Sequence, residues 1–192
     1  VKDTKIEVFV GLVHWPVLNK RGQEVTTSVT NLDIHDIARS SRTFGCKNFF
    51  IVTPIKAQHE LLKRILAYWE GDEGNEYNPD RHDALSFVRL VVSIEEASAE
   101  VEKQSGQKPL IAVTSAKPSV IDGDAHELMR QALVDRRPIL LLFGTGWGLT
   151  ASVMERADFR VGPISGAAKD GYNHLSVRSA VAIYLDRLRG GL

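Results

Sequence analysis

The sequence is poor in several things, and each shortage narrows what it encodes. One cysteine, Cys46, occurs in 192 residues, so no disulfide can form within the chain, and a reducing compartment, the cytoplasm, is expected. Cys46 has no histidine-bearing metal motif around it and reads as a structural thiol. The six histidines show no metal-ligand spacing, and no metal is expected. Net charge is lacking too: Lys+Arg and Asp+Glu both number 24. That balance excludes a protein that coats nucleic acid indiscriminately and leaves room for a local basic patch. No apolar run approaches the roughly 20 residues that cross a bilayer, so no membrane partner is expected. No signal peptide, low-complexity segment or internal repeat is visible. The chain begins at Val1 and not at Met, and whether it is a whole protein or a fragment of a fusion stays open.

What is present is ordinary globular composition, 43% hydrophobic and 25% charged, with no linker to divide it. One domain over residues 1–192 is expected. Six short apolar runs read as strands buried on both faces: Lys5–Val13, Asn48–Thr53, Ser86–Val92, Leu110–Thr114, Ile139–Phe143 and Phe159–Ile164. Helical patterns lie between them. Ile34, Ile37, Ala38 and Ser41 share a face, with Asn31 or Asp33 as N-cap. Leu61, Leu62, Ile65, Leu66 and Trp69 form a second stripe, and Ala125, Leu128, Met129, Ala132 and Leu133 another. A more polar helix spans Glu95–Gln104 and stops at Gly106. The last helix follows Asn173, carries Val177, Ala180, Val181, Tyr184, Leu185 and Leu188 on one side, and ends at Gly190-Gly191. Alternating strands and helices predict an α/β fold with a mostly parallel six-stranded sheet flanked by helices. Leu18–Ser28 and Gly71–Asp83 read as long surface loops.

The most telling stretch is "LLLFGTGWGL", where a buried strand breaks into Gly144-Thr145-Gly146-Trp147-Gly148 before a helical pattern. It is not a phosphate loop, because no Lys-Ser or Lys-Thr follows the glycines. A dinucleotide fingerprint fails at its third glycine, where Leu149 stands. A small-molecule site built from backbone remains, since ligands of open parallel sheets bind beyond the carboxyl ends of strands and glycines let them approach bare amides. Two other strand ends are similar: "TSAKP", Thr114 to Pro118, and "GPISGAAKDGYNHLSVRSA", Gly162 to Ala180. The bland alternative is that these glycines only make tight turns.

Together, "LLLFGTGWGL" and "VGPISGAAKDGYNHLSVRSAVAIYLDRL" resemble the last two motifs of the SPOUT class of methyltransferases. "DIHDIARSSRTFGCKNFFIVTP", Asp33 to Pro54, is similar to the first motif of the SPOUT ribose methyltransferases, with Arg39 at the arginine position, Phe44-Gly45 at the helix end and Asp33 in place of the usual asparagine. The resemblance covers nearly the whole chain. It is closest to a little-characterised bacterial family of RNA methyltransferases that also occurs fused behind the tRNA guanine-N1 methyltransferase. It implies a C-terminal deep trefoil knot, S-adenosylmethionine (SAM) bound in that knot, an RNA substrate (tRNA or rRNA), a homodimer and, as a further partner, a fused or neighbouring tRNA methyltransferase domain. The apolar stripe of the last helix is read as part of the dimer contact. The alternative is a SAM- or RNA-binding accessory module without catalysis.

The same resemblance implies the site residues. The cofactor cradle is Thr114, Ser115 and Ala116; Phe143, Gly144, Thr145, Gly146, Trp147, Gly148 and Leu149; Ile164, Ser165 and Gly166; closed by Tyr172, Asn173, His174, Leu175 and Ser176. Trp147 either covers the cofactor or belongs to the core. Arg39 and Arg178 are the charged catalytic candidates, Arg39 as a ligand of phosphate, because a guanidinium stays protonated. Arg42 lies one turn further along that helix. Asn173 and Ser176 double as a helix cap and its first turn. His14, in "GLVHWP", either faces the substrate or is packed beside Trp15.

Overall fold

A computed structural model describes residues 6–116 and 120–190; the side chains of 72, 73 and 75 are outside that description. Lys5, Lys117, Pro118 and Gly191, which entered the readings above, lie outside the described residues. The elements run β1 (Val8–Val13), β2 (Val17–Leu18), β3 (Glu24–Val25), α1 (Asn31–Thr43), β4 (Phe49–Val52), α2 (Lys56–Glu70), α3 (Asp72–Tyr77) and α4 (Pro79–Leu85). They continue β5 (Val88–Val91), α5 (Ile94–Ser105), β6 (Leu110–Thr114), α6 (Ala125–Asp135), β7 (Ile139–Gly144), α7 (Ala151–Arg156), β8 (Phe159–Val161) and α8 (Val177–Arg189).

All six apolar runs became strands of one parallel sheet, ordered β5-β4-β1-β7-β6-β8. The side-chain period of two sends alternate residues of β1 to opposite faces. Val8, Val10 and Leu12 join a core with α1, α2, α4, α6 and α8. Phe9 and Val13 join a second core with α5 and α7. Both sets are fully buried, which is why these strands read as unbroken apolar runs. Each such side chain contributes roughly 1.5–3 kcal/mol by leaving water. Cys46 is buried in the first core, and burial pushes its thiol up to about 12, which makes it unreactive.

Several local readings change. α1 is capped by Thr30, whose hydroxyl accepts from the Asp33 amide, and not by Asn31 or Asp33. Segment 71–83 is mostly helical: Asn78 caps α4, accepting from the Arg81 amide, with Pro79 at the first helical position. Segment 18–28 holds part of the small β2–β3 hairpin, turned through Gly22 at φ +73°. Leu61 and Leu133 point away from the core, 55% and 49% exposed. α5 ends as expected on Gly106 in the left-handed region. The apolar stripe of α8 is used within the chain: Val181, Tyr184, Leu185 and Leu188 are buried in the first core, so the stripe itself does not mark a dimer contact.

Candidate functional site

In a parallel sheet all carboxyl ends share one edge. Here β1, β7, β6 and β8 are consecutive neighbours, so Val13, Gly144, Thr114 and Val161 end side by side. Thr114 Oγ1 donates to the Leu142 carbonyl at 3.0 Å, tying the ends of β6 and β7. Beyond β8, the Gly162 amide donates to the Gly123 carbonyl at 2.8 Å, and Tyr184 of α8 donates its hydroxyl to the Gly162 carbonyl at 2.8 Å. Asn173 Nδ2 then donates to the Ile164 carbonyl at 2.7 Å, pinning the two arms of the last loop together. Ser176 is the N-cap of α8, accepting from the Ser179 amide at 3.2 Å, while Asn173 stays outside the helix.

The glycine loop is less bare than its composition suggests. The Thr145 amide donates to the Val13 carbonyl, the Gly148 amide to the Thr145 carbonyl, and the Trp147 amide to the Leu18 carbonyl, at 3.2, 3.0 and 2.9 Å. Leu18 donates back to the Gly148 carbonyl at 2.9 Å, and Val17 bridges to Leu149. The β2–β3 hairpin therefore lies against the loop like an extra strand. The amides of Gly146 and Leu149 donate no hydrogen bond among the described residues. The three glycines differ in purpose. A Cβ on Gly146 (φ +59°) would meet the Leu18 carbonyl at 2.9 Å, so its bareness serves the hairpin and offers no room to a ligand. A Cβ on Gly144 would meet the Leu149 amide nitrogen at 2.7 Å. Gly148, at φ +102°, has nothing within 4 Å of that position, and there the surface is open.

The side chains of Phe143 and Leu149 are buried, Phe143 with its ring 5.8 Å from that of Tyr184, so only their backbone is available to a ligand. Trp147 is 65% exposed, which removes its core alternative. Tyr172 is also largely exposed, with its ring stacked on His174. His14 is fully buried and does not face a substrate; its Nδ1 contacts Thr27 Oγ1 at 2.9 Å. Burial lowers its pKa to about 4, against the pull of Asp33.

The two arginines differ. Arg178, at the start of α8, has Nε 3.5 Å from Asp33 Oδ1 and a terminal nitrogen 3.5 Å from Asp36 Oδ2. Asp33 also accepts the Thr30 hydroxyl at 2.6 Å. The aspartate standing where SPOUT ribose methyltransferases usually carry asparagine thus completes a helix cap and ties α1 to α8. Arg39 is exposed and its side chain makes no ion pair or hydrogen bond among the described residues. Arg42, by contrast, pairs with Asp83 at 2.6 Å and lies over the Phe87 ring.

The sequence reading missed the β2–β3 hairpin and Thr27, which follows it. Asn19 and Gly22 did signal a turn, but the partner of the hairpin is the loop around Leu149, which Val17 bridges from far away in sequence.

Residues 7–190 match the model of a family described as SAM-dependent RNA methyltransferase. A tRNA (guanine-N(1)-)-methyltransferase of Oleidesulfovibrio alaskensis is 45% identical over 183 residues, 95% of this chain and 42% of the relative. The chain thus spans less than half the length of that relative. An uncharacterized protein of Aquifex aeolicus is 39% identical over 184 residues, 94% of this chain and 87% of the relative. The SpoU methyltransferase AviRb of Streptomyces viridochromogenes, solved in complex with AdoMet, shares the fold with a TM-score of 0.56 at 17% identity, covering 96% of this chain and 57% of AviRb. The resemblance to SPOUT methyltransferases holds for the parallel sheet and its flanking helices. With a family match from residue 7 to residue 190, the chain belongs to the SAM-dependent RNA methyltransferase family.

Proposed function

We propose that the chain transfers a methyl group from SAM to RNA, in tRNA or rRNA, as a cytoplasmic homodimer. The observation that carries this reading is the convergence of three adjacent strand ends, those of β7, β6 and β8, each leading into a segment assigned to the cradle. The residues present fit a ligand with an adenosyl group. Open surface lies at Gly148, the Gly146 and Leu149 amides donate no hydrogen bond among the described residues, and the exposed Trp147 and Tyr172 rings offer apolar faces. The cradle comprises Thr114–Ala116, Phe143–Leu149, Ile164–Gly166 and Tyr172–Ser176. SAM supplies an electrophilic methyl on a sulfonium. What the chain adds is placement: in-line positioning of an RNA nucleophile needs little covalent help from protein.

The segment from Gly162 to α8 is read as the last pass of a trefoil knot. The return from β8, at the sheet edge, to α8, packed on α1 and β7, supports that reading. Arg39, exposed and without an ion pair among the described residues, is assigned to an RNA phosphate. A role for Arg178 in catalysis would require release from Asp33 and Asp36. The homodimer reading rests on the family resemblance and on exposed Leu32, Trp147, Tyr172 and Leu175, not on α8. The match to the tRNA (guanine-N(1)-)-methyltransferase supports a fused or neighbouring domain of that kind as a partner.

The test is transfer of labelled methyl from SAM to total RNA, followed by nucleoside analysis. A methylated nucleoside that disappears with Arg39→Ala supports the assignment. SAM binding without any transfer identifies an accessory module instead.

A further inference from the structure

The two ring nitrogens of His14 have unequal surroundings. Nδ1 lies 2.9 Å from Thr27 Oγ1, whereas Nε2 is buried without a partner among the described residues. Thr27 Oγ1 lies 2.5 Å from Thr145 Oγ1, which in turn donates to the Val13 carbonyl at 3.0 Å. The last member sets the direction of this chain. A carbonyl only accepts, so the single proton of Thr145 goes to Val13. Thr145 must then accept from Thr27, whose own proton is thereby used, and Thr27 accepts from His14. His14 is accordingly a neutral imidazole with its proton on Nδ1, and Nε2 presents a bare lone pair to the core.

An unpartnered polar atom inside a core is destabilising, and an apolar side chain at position 14 would avoid it. The imidazole is explained by what its Nδ1–H does. Thr27 stands at a junction. Its amide donates to the His14 carbonyl at 2.9 Å, its carbonyl accepts from Gln58 Nε2 at 3.3 Å, and its methyl faces Gly146, 3.3 Å from where a Cβ would stand. Ordering the Thr27 hydroxyl orders the contact between hairpin and glycine loop.

We propose that His14 is a positioning residue for the cofactor site, fixing the conformation of residues 145–148 from within the core through Thr27 and Thr145. Its consequence for the cofactor rests on the SAM reading above, but its effect on the loop does not.

The full chain serves for the test. Nitrogen-15 NMR of the histidine ring is expected to show His14 protonated on Nδ1. Amide hydrogen exchange across 145–148 is expected to accelerate in Thr27→Val and stay near the wild-type rate in Thr27→Ser, which keeps the hydroxyl. SAM affinity measured by calorimetry is expected to fall roughly tenfold in Thr27→Val, the scale of one buried hydrogen bond, and to stay within about twofold in Thr27→Ser. His14→Asn, which can still donate, is expected to recover more of that affinity than His14→Phe. Protonation on Nε2, or wild-type exchange in Thr27→Val, overturns the proposal. If the NMR and exchange results hold while even the wild-type chain binds no SAM, the positioning role stands and the cofactor reading fails.

Discussion

The loop 144–149 follows β7 and the loop 165–176 follows β8, two strands separated by β6 whose carboxyl ends share one edge of the sheet, and the loops are held in opposite ways. The first is fastened by backbone bonds to β1 and to the hairpin, by the hydroxyls of Thr145 and Thr27, and by the burial of Leu149. All residues of the second are exposed. It is held by Asn173 on the Ile164 carbonyl, a turn closed between Gly171 and Ala168, and Asp170 accepting from the Tyr172 amide. Segments with few buried contacts open at low free-energy cost. The first loop is thus held in one shape by the core and the hairpin, and the second by surface hydrogen bonds alone.

The largest expected effect breaks the braced side. In Gly144→Ala the new methyl would meet the Leu149 nitrogen at 2.7 Å and the Gly148 carbonyl carbon at 3.0 Å, both backbone atoms of the fastened loop. A loss of roughly 3 kcal/mol in urea unfolding is expected, the upper range for overpacking. Gly171→Ala places its methyl in open space, with only φ +77° as a penalty, and is expected to cost about 1 kcal/mol. Equal losses at the two glycines would show that the loops are not held differently.

The braced loop also has a pH limit. The folded-state pKa of His14, about 4, lies below its ordinary value of 6.5. The unfolded chain therefore takes up the proton first as pH falls. The associated stability is complete above pH 6.5 and is lost progressively toward pH 4, on the order of 3 kcal/mol in all. Carboxylates add to any acid unfolding, so the quantity to measure is the difference between the stability curves of the wild type and His14→Phe over that window. Parallel curves would contradict a buried neutral imidazole.

Asn173→Ala loosens the other loop. Its bond to Ile164 is exposed, so the melting temperature is expected to change little, while SAM affinity falls about five- to tenfold because the arms must be gathered again on binding. A large stability loss with unchanged affinity would make Asn173 part of the scaffold.

These contrasts also mark what the sequence could tell. The sheet was legible because its four central strands are buried on both faces and read as short apolar runs, while the edge strands β5 and β8 keep an apolar pattern around Arg89 and Arg160. The strand ends carrying glycine were legible for the same reason, and they fall on one edge of the sheet. The short helices of segment 71–83 were hidden by their polarity, although Asn78-Pro79 is a helix start. Which glycine is open and which is crowded was not legible. It depends on Leu18 and Thr27, which meet the loop only in the folded chain. The α8 stripe misled about the dimer because one apolar face looks the same whether its own core or another copy covers it.

The smallest effect on the isolated chain separates the loops by what they await. The rings of Tyr172 and Trp147 are mostly in solvent, 67% and 65% exposed, so neither contributes much burial. Replacing either with alanine is expected to change unfolding free energy by less than about 0.5 kcal/mol without ligand. The two differ once SAM is added. Trp147 is held through its backbone to Leu18, and removing its ring leaves the braced loop in place. Tyr172 belongs to the exposed loop, where its ring stacks on that of His174; under the proposed cradle it is the ring this loop would lay over the ligand. Ligand that binds only the folded state raises the melting temperature by mass action. The rise produced by a fixed SAM concentration is therefore expected to shrink more in Tyr172→Ala than in Trp147→Ala. The opposite order would mean that the fixed loop carries the cover and the exposed loop faces something else, with a second copy of the chain as the first candidate to examine by light scattering.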